Sequence, residues 1–261
     1  MSANPGRGGL RRNALSVGGV CLFFLLWEIS SQFVRGLFLP GPVEVARTFA
    51  SLLVEPFAGA TLVGHLVSSL MRFAGGFSIA VLVGVPLGLC AGLSRKFDAA
   101  ITPLFESVRF VSPIAWVAFA ALWFGTGIGG PLLIIFAGAF PPCMVNAYRG
   151  ARFADETLVE AAKTLGASRP RIIFYVLLPA SFPSIIAGLR VAAGMGWLSL
   201  VGAELIVVSS GIGYMMVQAQ SGARTAVVMA GMAAIGFIGF VLDFLLRRAE
   251  LLFFKSDRWD P

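Results

Sequence analysis

The stretch EAAKTLGASRPRIIFYVLLP, Glu160 to Pro179, decides how this chain is read. It is a polar, charged segment set between long apolar runs. Just upstream, Asp155 can cap a helix that starts at Glu156, because a short acidic side chain satisfies orphan amides and suits the positive helix end. Leu158, Ala161, Ala162 and Leu165 follow helical spacing and form one narrow face of small residues. Gly166 can end that helix in a left-handed conformation. Ser168 can cap a second helix, with Pro170 tolerated in its first turn, and Pro179 should end or bend it. The expectation is two short amphipathic helices joined by a glycine turn, either slim enough to enter a groove on a partner or simply a solvated loop, since short amphipathic helices are common.

The surrounding composition makes this a membrane chain. Hydrophobic residues are 57% and charged residues 13% of the sequence, against roughly 45–50% and 25% in soluble proteins. Lipid as solvent accounts for both shifts, since a charge in hydrocarbon is costly. The net charge of +7 does not indicate nucleic acid, because the basic residues sit between apolar spans and form no continuous face. The three cysteines, Cys21, Cys90 and Cys143, have no CxxC or Cys/His spacing, and His65 is the only histidine. Neither a metal site nor a disulfide framework is expected.

A spanning helix needs about 20 apolar residues. About six stretches qualify by that criterion, at 14–34, 67–93, 101–124, 131–148, 180–208 and 227–246. Residues 1–13 and 247–261 read as tails, and 153–179 as the polar loop. Arg7, Arg11 and Arg12 before the first stretch also describe a signal peptide, but WEISSQFVRG offers no A-x-A-like cleavage site, so an uncleaved span is expected. With the N-terminus inside, the inner segments collect 14 of the 20 Lys and Arg, while the outer ones carry only Arg35, Arg47 and Arg224. That asymmetry places both termini and the 153–179 loop in the cytoplasm. Outside, Val43–Leu53 fits a short surface helix. The fold class is all-α, polytopic and a single membrane domain.

The loop resembles the EAA signature of permeases of ATP-binding-cassette (ABC) importers: EAA, three residues, Gly, nine residues, a hydrophobic residue, any residue, Leu-Pro. The matching positions are Glu160, Ala161, Ala162, Gly166, Val176, Leu178 and Pro179. Leu39-Pro40, Pro42, His65, Ser69-Leu70, Arg72, WFGTG at Trp123–Gly127, GAFPP at Gly138–Pro142, Gly188-Leu189-Arg190, Trp197 and Ala203-Glu204 are similar to the nitrate/sulfonate/taurine-type subgroup. Phe119 departs from that pattern, which has proline there.

The resemblance implies a type I importer transmembrane domain in the bacterial inner membrane, acting as a homodimer with the pathway between protomers. A cytoplasmic ABC ATPase would dock on the loop and bind the ATP and Mg. A solute-binding protein outside would deliver a small anion such as a sulfonate, taurine or nitrate. Glu160 would be a charged contact and Gly166 the turn, with Ala161, Ala162, Leu178 and Pro179 completing the ATPase-coupling set. The chain has no GxxxxGK[ST] and so no nucleotide loop of its own. No cofactor and no catalytic residue are expected in it.

Ionisable residues inside spans are functional candidates. Glu106 and Arg109 are three apart and can pair on one helix face, or Arg109 can line an anion path. Arg190 and Glu204 share a face of the fifth span about 21 Å apart, too far to pair. Arg190 is assigned to an inner interface and Glu204 to a gate or lining position. Trp116, Trp123, Phe124 and Trp197 are candidates either for the pathway wall or for core and interfacial packing, the commoner place for such residues in membranes, and Gly188, Gly194, Gly196 and Gly202 are candidates for the dimer interface. His65 reads as a hydrogen-bonding residue.

Two other classes compete. An ion-gradient-driven secondary transporter would need buried acidic or histidine relays and broken-helix repeats; Glu106, Glu204 and Asp243 are the chief candidates, and no repeat is visible. An intramembrane enzyme lacks convergent catalytic groups.

Overall fold

The computed structural model describes residues 5–34, 38–125, 127–206 and 208–254, the side chains of 5–16, 156 and 252–254 excepted. The backbone is helical almost throughout. That is what lipid demands, because a helix satisfies its own amides and carbonyls without water. In chain order the helices are α1 (Pro5–Phe33), α2 (Pro42–Val54), α3 (Leu62–Leu93), α4 (Arg95–Arg109), α5 (Trp116–Phe124), α6 (Gly129–Arg152) and α7 (Glu156–Thr164). There follow α8 (Arg169–Ile172), a π-helical turn (Ile173–Leu177), α9 (Leu178–Glu204), α10 (Ile212–Ser221) and α11 (Thr225–Phe254).

Among the described residues, four helices are long and apolar enough to cross a membrane: Leu62–Leu93, Gly129–Arg152, Arg169–Glu204 and Thr225–Leu251. The apolar part of the first helix, Val17–Phe33, is shorter. The continuous helix expected over 101–124 is not there. Instead α4 stops at Arg109 and α5 begins at Trp116. Pro113 explains the break, since proline disfavours helical backbone at the residue before it, here Ser112. The last helix overruns its expected end at 246 and continues to Phe254. The expected tails lie in part outside the described residues, at 1–4 and 255–261.

The chain divides into two units. The larger, residues 63–214 and 234–261, is built on α9 packed along α6. Its core brings Phe73, Ile135, Ala193, Trp197 and Leu200 together. Phe73 stacks on Phe77 and meets the Trp197 ring edge-on at 5.6 Å. The α3–α6 contact is close because Gly84, Gly88 and Gly92 recur every four residues along α3. A Cβ at those positions would strike Cys143, the Met144 carbonyl and Ala151.

The smaller unit comprises residues 1–62 and 215–233. The Trp27 indole donates to the Pro40 carbonyl at 3.1 Å, fixing the exit from α1. Pro42 then sits at the start of α2, where a missing N–H costs nothing. Val45 and Leu52 bury one face of α2. Across the turns that follow α2 and α10, Arg224 lies over the Phe57 ring, 5.2 Å from its centroid.

Candidate functional site

The polar loop folds as a helix, a glycine turn and a second helix. Asp155 accepts from the Thr157 backbone amide at 2.9 Å and also from the Thr157 hydroxyl. Those two donors hold the Asp155 carboxyl below its ordinary range. At the other end of α7, Gly166 has φ +76°. Its amide bonds the Lys163 carbonyl at 2.9 Å, and the Ala167 amide reaches back to the Ala162 carbonyl at 3.0 Å. These paired bonds form the Schellman motif, which requires a left-handed residue at Gly166.

Two details differ from expectation. Ser168 occupies the cap position of α8, but its side chain makes no capping bond. Pro179 does not end the second helix either. Helix runs from Arg169 to Glu204, and the Leu178 amide bonds Ile173, five residues back. The π-helical turn absorbs the proline, whose ring would otherwise press on the carbonyl four residues before it.

Among its charged groups this loop exposes several large apolar side chains. Leu158, Leu165, Phe174 and Tyr175 are all exposed, Leu165 at 88%. Glu160 is exposed and has no ion-pair partner among the described residues. Ala161 is exposed and Ala162 half-buried, so the narrow face is available for contact. Leu178 is half-buried and Pro179 exposed, at the start of α9.

Glu204 occupies a different environment. It is 1% exposed, and its carboxylate accepts from the Ser69 hydroxyl at 2.8 Å, from Arg72 at 3.0 Å and from the Gly213 amide at 3.1 Å. Arg72 also donates to the Ser210 carbonyl and hydroxyl. Ser69 accepts from the Ile212 amide at 3.1 Å, and Nδ1 of buried His65 from the Gly211 amide at 3.2 Å. His65, Ser69 and Arg72 lie at i, i+4 and i+7 on one face of α3. His65, Ser69 and Glu204 accept the first amides of α10, which begin a helix and have no backbone partner, while Arg72 donates to Glu204 and Ser210. Glu204 faces no surface of the protomer, so its assignment as a pathway lining is corrected: it is the buried half of an ion pair.

Trp197 is corrected likewise. It is 4% exposed, sits in the core and donates Nε1 to the Ile235 carbonyl at 3.2 Å. Arg190 binds Asp243 of α11 at 2.6 Å, with Glu250 at 3.8 Å, so it ties α9 to α11 within this chain. The glycines of α9 divide. Gly188 abuts Asn146 and Gly196 abuts Ala139, both packing within the chain, whereas Gly194 has open space beside it.

Glu106 and Arg109 do pair, at 2.7 Å. The Arg109 guanidinium lies over the rings of Phe105 and Phe110, at 5.8 and 4.6 Å from their centroids. Arg109 and Trp116 both line a cavity of about 290 Å³ between α4, α5 and α6. Among the described residues, no three His, Cys, Asp or Glu side chains gather as a metal site would need.

Sequence reasoning missed the partners rather than the residues. The Arg72–Glu204 and Arg190–Asp243 pairs join positions 132 and 53 apart, which no local pattern reports. The helical spacing of His65, Ser69 and Arg72 was the available signal for a shared polar face.

Residues 84–255 match the family described as binding-protein-dependent transport system inner membrane component. The chain is 36% identical to the taurine transport system permease protein TauC of Escherichia coli (strain K12), over 92% of this chain and 88% of that one. It is 34% identical to the putative aliphatic sulfonates transport permease protein SsuC of Bacillus subtilis (strain 168), over 86% and 81%. In fold it matches a chain of the MetNI methionine ABC transporter solved in inward-facing conformations. The TM-score is 0.64 at 17% identity, covering 72% of this chain and 94% of that one.

Proposed function

The chain belongs to the family of binding-protein-dependent transport system inner membrane components, and on that premise we propose that it forms the translocation pathway of an ABC importer for a small anion. The anion is an organic or inorganic one, of the sulfonate, taurine or nitrate kind, handed over by a solute-binding protein outside the membrane. The names of its relatives, which carry taurine and aliphatic sulfonates, support that class. ATP is hydrolysed by a separate ATPase seated on residues 153–179. Two copies of the chain enclose the pathway. Besides the four long helices, α1 and the α4–α5 pair each cross the bilayer, so both termini lie in the cytoplasm. The lysine and arginine distribution supports that orientation.

One observation carries this reading: the helix–turn–helix at 156–177 exposes Glu160, a carboxylate unpaired among the described residues, beside bare apolar side chains. A protein surface in water keeps such a combination where a partner covers it. Ala161 and Ala162 leave the helix slim, and the Gly166 turn fixes its angle. Glu160→Arg reverses the charge at that contact.

The test is purification of the tagged chain from native membranes in mild detergent, followed by assay of bound ATP hydrolysis. Wild type should bring down a soluble ATPase, and Glu160→Arg should not. An intact, folded wild-type protein that brings down none overturns the proposal.

A further inference from the structure

The cavity beside Arg109 adjoins a second one. The first, about 290 Å³, is walled by aromatic and aliphatic groups, including Phe105, Trp116, Phe136 and Phe140. The second, about 230 Å³, also borders Arg109, and Thr102, Glu106, Tyr148 and Arg149 supply its polar wall. Phe105, Arg109 and Met144 line both chambers. The two therefore share a wall, with an apolar chamber, a polar chamber and the Arg109 side chain bordering both.

Each chamber selects for part of a ligand. The aromatic walls already stack among themselves: Phe105 meets Phe140 edge-on at 5.9 Å, and Phe136 stacks on Phe140 at 5.0 Å. A flat ring can join that array edge-to-face. The volume is roughly twice that of an engineered cavity known to hold benzene, enough for one or two fused rings. In the polar chamber, Arg109 and Arg149 face a single lining carboxylate, Glu106. Arg149 has no ion-pair partner among the described residues. The hydroxyls of Thr102 and Tyr148 are turned to Asp98, which they satisfy at 2.5 and 3.2 Å. The lining therefore carries one positive charge in excess, and a planar guanidinium suits a sulfonate or carboxylate head.

We propose that this pair of chambers is the solute's seat on the permease and that it takes an arene bearing one sulfonate or carboxylate. The inference rests on the permease reading above and narrows its substrate class. The ring fills the α4–α5–α6 chamber, and the head meets Arg109 and Arg149. Taurine fits poorly, because its ammonium would be stripped of water without a partner in the apolar chamber. Nitrate and methanesulfonate supply a head but leave that chamber without apolar contact, forfeiting the burial that favours a ring.

The experiment uses the full chain in lipid nanodiscs, with 2-naphthalenesulfonate and 2-naphthoate as probes followed by saturation-transfer NMR. Taurine, nitrate and methanesulfonate serve as competitors, and empty nanodiscs as the blank. Binding should exceed the blank for at least one probe, and a hundredfold excess of any competitor should leave it standing. Arg109→Gln should weaken it about tenfold or more, the scale of a lost charged hydrogen bond. Ala137→Phe, which fills the apolar chamber from its wall, should abolish it while the protein still elutes as wild type.

Equal competition by taurine or methanesulfonate overturns the inference. So does probe binding that survives both variants, which would place the arene in lipid or elsewhere on the chain. ATPase capture is measured on the same preparation. Capture without arene binding overturns this inference and leaves the permease reading intact, whereas loss of capture removes the premise and the inference with it.

Discussion

The clasp around Glu204 and the loop around Glu160 put a glutamate to opposite uses. Glu204 is buried, and its oxygens are met by Ser69, Arg72 and Gly213. Glu160 is exposed and unpaired among the described residues, beside apolar side chains that nothing covers. A buried carboxylate is tolerated only when its partners are complete, whereas an exposed one costs nothing while it waits. The clasp is thus finished within one chain, and the loop, under the proposed function, is finished by another. Stability should be lost at the first and coupling at the second.

The largest expected effect breaks the clasp. Arg72→Ala leaves Glu204 buried without its cation, and such losses cost about 3–5 kcal/mol. Thermal unfolding in detergent should show a large drop. Replacing both partners by apolar residues, Arg72→Met with Glu204→Leu, should recover much of it, because a missing pair is cheaper than a broken one. Equal damage from the single and double variants would mean that the serines and amides, rather than the ion pair, hold the site.

The next effect is smaller and lies in the loop. Gly166 has open space around its Cβ position, so only its left-handed backbone resists substitution. Gly166→Ala should cost about 1–2 kcal/mol, and Gly166→Val more, because β-branched residues are poorest at positive φ. Hydrogen exchange at the Ala167 amide reads this directly, and equal mild effects from both variants would count against a strained turn.

The cap of α7 sharpens the comparison through pH. Asp155 has a lowered pKa because the Thr157 hydroxyl and amide bond its ionised form. A depressed carboxyl contributes stability above its unfolded value, and that contribution is lost as pH falls through the folded value. The cap should therefore be complete at neutral pH, and α7 should fray only in acid, below the usual aspartate range. Asp155→Ala should abolish that pH dependence in exchange rates at Thr157 and Leu158, and Asp155→Asn should keep part of the cap.

The smallest stability effect carries the largest functional one. Glu160→Arg should move thermal unfolding by no more than about 0.5 kcal/mol, as exposed substitutions do, while bound ATP hydrolysis disappears. A variant that unfolds would erase the distinction between the two glutamates.

Local chemistry made the loop and the α4 ion pair legible. Asp155, Gly166 and the three-residue spacing of Glu106 and Arg109 each announce a bond within one turn, and the structure contains all three. The clasp was legible only in its parts. Arg72 and Glu204 are 132 positions apart, and helical periodicity carries no information at that range. Trp197 misled because an aromatic residue in an apolar span has the same pattern whether it faces a core or a cavity. The break at 110–115 had a signal in Pro113, but the unbroken apolar run around it outweighed the proline. The π-helical turn had Pro179 as its sign, and proline announces a disturbance without stating its form.

That turn has a geometric consequence. A π-turn spends one residue more than an α-turn on the same advance, and each residue of an α-helix accounts for about 100° of rotation. Residues 173–177 therefore set the azimuth at which α8 and the glycine turn leave the axis of α9. Deleting one of them, such as Val176, would let the ladder close as ordinary α-helix and swing the loop about a quarter of the way around that axis. Every contact residue would survive, with composition and exposure nearly unchanged, and the whole set would point the wrong way. In this segment the count of residues, as much as their identity, is part of the address.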